Sequence, residues 1–226
     1  MIKNVQNWDI FKKDLEIKIL PHYKHHESTF DPSGIHGRRH ISRAIIFSEL
    51  MARTYYEIGL DIDFNGIRYA IAFHDAGRQG NGVDLWESDS ADLCYKYLKS
   101  NNITENSYYV SRFIEKHGNW SIDKQVVQDA DVLEIMRVIC GHGGRNGFLP
   151  DRLKFLGQND NYISNNDVKL YSEVRNNLID DAWKFIEYTE NNNSLFSDKK
   201  NNHLQLMIEM LDKNKNDYIV LRKLVE

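Results

Sequence analysis

Proline and cysteine are scarce in this sequence. Its 226 residues include three prolines, Pro21, Pro32 and Pro150, so long stretches contain no residue that would interrupt a helix. The two cysteines, Cys94 and Cys140, form no CxxC pair. The cysteine pattern therefore argues against a disulfide framework and against a cysteine zinc site.

Long apolar runs and a strong excess of one charge are also absent. No segment approaches the ~18 apolar residues of a membrane span, and the N-terminal segment MIKNVQNWDIFKKDLEIKIL is too charged for a secretory signal. The net charge of -4 argues against a surface that coats nucleic acid. We therefore expect a cytoplasmic protein with no membrane and no stable nucleic-acid partner; secretion as an effector is the alternative.

Apolar residues recur instead at helical spacing, and strand-type alternation is scarce. This pattern predicts an all-α fold in one domain over residues 1–226, with the motifs between about 36 and 140 and further helices between 167 and 226. The predicted helices are Val5–Leu20, Gly37–Ile58, Phe64–Ala76, one capped by Ser88 or Asp89 that runs to Lys99, one from Asn102 or Thr104 to Gly118, Ile122–Cys140, Asp167–Tyr188, His203–Lys213 and Tyr218–Val225.

Polar, proline- or glycine-containing segments between these helices predict loops. One loop is expected at Pro21–Gly34, where His22, His25 and His26 would lie in solvent. Another is expected at Gly80–Asp84.

Several histidines and aspartates lie within the apolar helices. His40 continues the apolar stripe of its helix, and His74 continues that of the next one. Asp75 follows His74 at the end of a helix that is apolar nearly all round. A buried imidazole or carboxylate is costly unless it is paired or binds a metal. A third apolar helix carries Asp129 and Asp131, and periodicity does not choose between these two carboxylates.

Two imidazoles and two carboxylates from three helices are suited to a divalent metal. Nitrogen and oxygen ligands together disfavour Ca²⁺, and we expect Mn, Fe, Co, Ni, Zn or Mg. The ligands would be His40, His74, Asp75 and one aspartate of the third helix, and Asp75 could also bridge two metals. Such a metal lowers the pKa of bound water and holds phosphoryl oxygens.

The order of these residues resembles the HD superfamily of metal-dependent phosphohydrolases. That family has a histidine, then a His-Asp pair, then a distant aspartate in an Ala-Asp-x-Leu context. The match falls on His40, on His74 with Asp75, and on Asp131 in ADVL. The resemblance implies an HD-type helical domain and favours Asp131 over Asp129.

A narrower resemblance is to the phosphodiesterase domain of SidE-type bacterial effectors. It is carried by GIHGRRHISRA, FHDAGRQGNGVDLWESDSADLCYKYL and DADVLEIMR, and it covers about 36 to 140. It implies cleavage of the phosphodiester of ADP-ribosylated ubiquitin or of phosphoribosyl-linked serine. The family uses a histidine nucleophile, a second histidine and a glutamate, without an obligatory metal. The first histidine matches His36, the glutamate matches Glu87, and Gln128 stands where the second histidine would fall.

Arginines near the motifs are candidates for holding phosphate. Arg78 follows Asp75 closely, and a guanidinium binds phosphate in a bidentate manner. Arg39 and Arg43 are further candidates, although an ion pair at the surface is the alternative for Arg39. Asp84 and Gln128 complete the predicted substrate-binding set.

His36 and Glu87 are the predicted acid–base or nucleophilic groups. An imidazole titrates near neutral pH, so His36 could attack phosphorus or protonate a leaving group. The alternatives are a hydrogen bond from His36 to a metal ligand and a favourable helix N-terminal position for Glu87.

Together these residues predict a phosphodiesterase or phosphohydrolase of nucleotide-derived substrates, modified ubiquitin among them, that requires a metal. The alternatives are the metal-independent SidE-type reaction and a degenerate HD domain that binds a nucleotide without turnover.

Overall fold

The computed structural model describes residues 8–32, 35–57, 59–80, 85–119 and 121–140. Within these ranges the secondary structure is helical and contains no strand, which confirms the all-α prediction. Among the described helices, none has the length and hydropathy of a membrane span. Asp84 and the helices predicted between 167 and 226 lie outside the described residues.

Seven α-helices and one π-helical turn follow one another along the described chain. They are α1 (Trp8–Asp14), the π-helical turn (Leu15–Ile19), α2 (Leu20–Thr29), α3 (Arg38–Glu57), α4 (Phe64–Phe73), α5 (Glu87–Ser100), α6 (Ser107–Ser111) and α7 (Ile122–Cys140). The predicted bounds of α7 are confirmed at both ends, and those of α3 differ by one residue at each end.

The N-terminal helical segment continues past Pro21, so the loop predicted at Pro21–Gly34 is wrong for most of its length. The backbone N–H of Leu20 bonds to the carbonyl of Leu15, which is the wider π-type spacing. This wide turn directly precedes Pro21, which lacks an N–H and falls in the first turn of α2, where a proline is tolerated. The histidines of this segment are therefore helical, and His26 is 2% exposed rather than solvated.

Helix α4 lies at the centre of the fold. It packs against α3, α5 and α7, and α3 also packs against α7. Nine of its ten residues are buried, because apolar side chains lie on nearly every face. Burial of each large apolar side chain contributes roughly 1.5–3 kcal/mol. The apolar faces of α3 and α7 cover this helix and fix the positions of the polar residues that interrupt them.

The remaining differences from the sequence prediction lie at helix ends. Neither Ser88 nor Asp89 caps α5, which begins at Glu87 after Trp86. The helix predicted to end at Gly118 is reduced to the five residues of α6. The side-chain amide of Gln128 binds two carbonyls of the segment that follows α6, so tertiary contacts replace the helical hydrogen bonds there.

Candidate active site

Three helices bring the predicted metal ligands into one buried cluster. His40 lies in the first turn of α3, His74 and Asp75 follow the end of α4, and Asp131 lies in α7. The Nε2 atoms of His40 and His74 are 2.9 Å apart. The Nε2 atom of His40 lies 3.3 Å from Oδ2 of Asp75 and 3.4 Å from Oδ1 of Asp131. The structure therefore gathers the other three side chains around Nε2 of His40.

The opposite edge of each imidazole is held by an oxygen acceptor. Nδ1 of His40 lies 2.5 Å from Oε2 of Glu134, and Nδ1 of His74 lies 2.6 Å from the carbonyl oxygen of Ile71. Each Nδ1 therefore carries the hydrogen, and in a neutral ring each Nε2 presents a lone pair. Two lone pairs that face each other at 2.9 Å repel unless a proton or a metal cation lies between them.

The surrounding carboxylates favour positive charge on both rings. Burial alone would lower the pKa of His40, but Glu134, Asp131 and Asp75 raise it well above its usual value. Burial also opposes protonation of His74, whose pKa is nevertheless raised by Asp75 and Asp131. The imidazoles in turn lower the pKa of the carboxylates. Burial would raise the pKa of Asp75, but His74 and the neighbouring imidazoles hold it well below the usual value.

His36 lies at the edge of this cluster, just before α3. Its Nδ1 is 2.9 Å from Oδ2 of Asp75, and its backbone N–H donates to Oδ2 of Asp31 at 2.6 Å. Its side chain is 14% exposed, and among the described residues none forms a hydrogen bond with its Nε2. A carboxylate that orients one ring nitrogen and leaves the other accessible is the arrangement that a histidine base or nucleophile requires.

Two sets of three side chains in the described ranges have ligand atoms close enough for one metal ion. One set is His36, His40 and Asp75; the other is His40, His74 and Asp131; the ligand atoms in each set lie within 4.8 Å of one another. Their nitrogen and oxygen donors fit a first-row divalent metal, and metal-bound histidines typically donate their other N–H to a carboxylate or carbonyl. These donor types fit the metal that the sequence analysis predicts, but the two predicted carboxylates fall in different sets, Asp75 with His36 and His40, and Asp131 with His40 and His74.

Glu134 supports the cluster from behind, and the sequence analysis missed it. It is fully buried, and it accepts hydrogen bonds from Nδ1 of His40 and, at 2.7 Å, from Nε of Arg43. Arg43, predicted to bind phosphate, is 1% exposed and lies on the far side of His40 from His74. A signal was available, since Glu134 interrupts an apolar helix three residues after Asp131.

Arg78 is held beside Asp75 by a tight turn. Its Nη1 lies 3.7 Å from Oδ1 of Asp75, and its guanidinium carbon lies 5.3 Å from the centre of the Trp86 ring. Gly77 lets this turn lie directly against the start of α5, because a Cβ there would lie 2.6 Å from the backbone nitrogen of Ser90. Arg78 is 4% exposed, so its charge is fixed near the cluster rather than spread over the surface.

The remaining predicted residues are Glu87, Gln128 and Arg39, and the first two lie apart from the cluster. Glu87 accepts from the backbone N–H of Lys116 at 2.9 Å and pairs with its Nζ at 2.8 Å. Gln128 donates to two carbonyls after α6, at 2.8 and 2.9 Å. Within the described ranges neither side chain contacts the histidines. Arg39 is half-buried in the first turn of α3.

Geometry separates the two candidate aspartates of α7. Asp131 approaches both His40 and His74, at 3.4 and 3.3 Å. Asp129 is fully buried and accepts a hydrogen bond from the side-chain amide of Gln125 at 2.8 Å. The geometry therefore favours Asp131 as the carboxylate that takes part in the cluster.

The comparison with protein families places this helical chain among the phosphoester hydrolases. The model of the SidE phosphodiesterase (PDE) domain matches residues 34–206. This match covers most of the chain, and the protein belongs to that family. No curated protein matches the chain, and no solved structure does. The HD-superfamily relationship stays a prediction.

Proposed function

We propose that the protein hydrolyses a phosphodiester bond of a nucleotide-derived substrate, of the ADP-ribosyl or phosphoribosyl type, at the cluster formed by His36, His40, His74, Asp75 and Asp131. The observation that carries this proposal is the pair of Nε2 atoms that face each other at 2.9 Å between two carboxylates. Such a centre holds a positive charge where a phosphoryl oxygen can approach it, which stabilises the negative charge of the transition state. Membership of a phosphodiesterase family supports the bond type.

A divalent metal fits this centre and would be held by His40, His74 and Asp131, with Asp75 beside His40 as the fourth predicted ligand. When bound, it would supply Lewis-acid stabilisation of the phosphoryl oxygens and lower the pKa of water. Glu134 and the Ile71 carbonyl would keep both rings in the tautomer that offers Nε2.

The protein's own residues would supply proton transfer, charge stabilisation and positioning. Asp75 orients His36 through Nδ1, so Nε2 of His36 can accept a proton from water or give one to the leaving oxygen. Arg78 offsets phosphate charge next to Asp75. Arg43 is assigned a positioning role, because its guanidinium holds Glu134 against His40.

The metal-independent SidE-type reaction is the second candidate, and both the family match and the His36–Asp75 contact favour it. In this reaction Nε2 of His36 attacks phosphorus, the bond from phosphorus to the leaving oxygen breaks, and that oxygen takes a proton from solvent, which the water of the next step gives back. Water then cleaves the phosphorus–nitrogen bond and restores the imidazole. A proton shared by His40 and His74 would provide the positive charge.

Hydrolysis of p-nitrophenyl phosphodiesters, with and without a chelator, tests the proposal. Loss of turnover on chelation, with recovery on adding Mn²⁺ or Co²⁺, supports the metal-dependent reaction. Turnover that survives chelation but is lost in His36→Ala supports the SidE-type reaction. Binding of a nucleotide without turnover under either condition contradicts both and leaves the degenerate binding module.

A further inference from the structure

Two carboxylates at the C-terminal end of α2 bind the backbone that carries His36. Oδ2 of Asp31, just beyond the helix, accepts the backbone N–H of His36 at 2.6 Å. Oε1 of Glu27, in the last turn of the helix, accepts the backbone N–H of Arg38 at 2.6 Å. Hydrogen bonds to a charged acceptor are roughly twice as strong as neutral ones. The backbone directly before α3 is therefore fixed to α2 at two points.

The Glu27 carboxylate is itself held against this backbone. Its Oε2 accepts a hydrogen bond from Nε of Arg38 at 2.9 Å and lies 2.7 Å from Nη2 of the same guanidinium. Gly37 provides the necessary space, because a Cβ at this position would collide with the Glu27 side chain. The guanidinium and the glycine thus favour one placement of the segment relative to α2.

The same helix also binds the segment that carries Asp75. The hydroxyl of Tyr23 donates to the carbonyl of Ala72 at 3.0 Å, and Nε2 of His22 donates to the carbonyl of Ala76 at 2.7 Å. These two carbonyls lie on either side of Asp75 in the chain. Helix α2 and the residues directly after it therefore hold both segments that meet where Nδ1 of His36 approaches Oδ2 of Asp75 at 2.9 Å.

Burial limits how Asp31 could act on a reaction. Its residue is fully buried, so the carboxylate is not accessible to a substrate. Any effect of Asp31 on turnover must pass through the groups that it contacts, and one of these is the backbone N–H of His36.

We propose that Asp31 and Glu27 are positioning residues, which hold the backbone of His36 so that its imidazole meets Asp75. The proposal rests on the proposed function, because that function gives His36 its part in hydrolysis. Both carboxylates precede residue 34, where the family match begins, so the proposal gives a role to a segment that the family model does not cover.

Turnover of a p-nitrophenyl phosphodiester by the full chain tests the role of Asp31. We expect kcat to fall at least about tenfold in Asp31→Ala with KM nearly unchanged, because a small displacement of a reacting group is costly in rate. Asp31→Asn keeps an acceptor oxygen and should stay within about threefold of the wild type.

Asp63→Ala is the matched control for these variants. Asp63 also accepts a backbone N–H, that of Gly66 at 2.9 Å, but at the end of α4 opposite Asp75. The control should therefore lose stability and keep the wild-type kcat. Urea titration establishes that each variant is folded under the assay conditions.

A loss of kcat confined to Asp31→Ala supports the proposal. Wild-type kcat in folded Asp31→Ala overturns it, and so does an equal loss in Asp63→Ala or in Asp31→Asn. Should Asp31→Ala fail to fold, Glu27→Ala and Glu27→Gln decide on the same terms, because the Glu27 side chain is 21% exposed and its loss is better tolerated.

NMR of the His36 ring tests the positioning role without turnover. The nitrogen chemical shifts of a neutral imidazole report which ring nitrogen carries the hydrogen, and contact with Asp75 favours Nδ1. We expect this tautomer to be kept in Asp31→Asn and Asp63→Ala and to decrease in Asp31→Ala. An unchanged tautomer in Asp31→Ala contradicts the positioning role. A wild-type protein that hydrolyses no phosphodiester contradicts the proposed function instead, and the ring shifts still test the positioning of His36.

Discussion

Two buried polar groups lie between α3 and α4. They differ in whether their hydrogen-bond donors, acceptors and charges are matched within the group. In the first, Arg68 of α4 meets Glu49 of α3 through two hydrogen bonds of 2.8 Å, and both side chains are at most 1% exposed. Donors match acceptors, and the charges cancel. The second group is the histidine–aspartate centre, where two ring nitrogens face each other and Asp131 is 18% exposed.

This difference is the one expected between a buried charge pair that serves structure and a cluster that is proposed to serve chemistry. The Arg68–Glu49 pair needs no further partner to be neutral, so it acts as a closed contact between helices. The centre instead requires a cation between its rings, and it opens toward solvent at His36 and Asp131. Perturbed ionisation in an accessible cluster is typical of functional sites.

The largest expected effect comes from breaking the closed pair. Arg68→Met leaves Glu49 charged and buried, so it should lower the free energy of unfolding by about 3–5 kcal/mol. The double variant Arg68→Met/Glu49→Leu removes both charges and should recover most of that loss. Urea titration of the three proteins measures the difference. A double variant as unstable as the single one would show that the pair acts through shape rather than charge.

Glu134→Gln tests the histidine–aspartate centre through the buried carboxylate that holds His40. The amide keeps the size of the side chain but removes the charge that raises the pKa of His40. We expect kcat/KM to fall about 10- to 100-fold, the usual cost of losing a partner of a metal-bound or catalytic histidine, and the pKa of His40 measured by NMR to decrease. Activity equal to the wild type would contradict a role for Glu134 in supporting His40.

Asp123 lies between the two cases, because it is half-buried and has a backbone partner but no described cation beside it. Its Oδ1 accepts the backbone N–H of Asp63 at 3.0 Å, and burial raises its pKa from 3.8 to about 6. The folded state therefore holds a proton that the unfolded state releases first, and stability should fall as pH rises from about 4 to about 6.

Asp123→Asn should remove this pH dependence. Since the amide is neutral at every pH, we expect the variant to be about 1–2 kcal/mol more stable than the wild type near pH 7 and similar to it near pH 4. Urea titrations at the two pH values measure this. An equal stability difference at both would contradict the raised pKa.

Helical periodicity was sufficient to predict much of the fold. The bounds of α3 and α7 follow from long apolar stripes, and the stripes of α3 and α4 directed His40 and His74 inward. The continuation of α2 was not predictable, because the π-helical turn before Pro21 depends on backbone hydrogen bonds that no residue type signals.

The site was predictable where polar residues interrupt apolar helices, and less so elsewhere. His40, His74 and Asp75 stood out for that reason, whereas Glu134 resembled an ordinary charged residue until its contacts with His40 and Arg43 were visible. The Lys116 contact of Glu87 arises between segments far apart in sequence, and local spacing carries no information about it.

The central claim is that the histidine–aspartate centre performs the hydrolysis, and Asp75→Asn tests it most directly. Oδ2 of Asp75 lies 2.9 Å from His36 and 3.3 Å from His40, so both proposed mechanisms require its charge. We predict that kcat/KM for a p-nitrophenyl phosphodiester falls by at least about 100-fold while the far-UV circular dichroism stays that of the wild type. Activity within about twofold of the wild type in the folded variant would contradict the account.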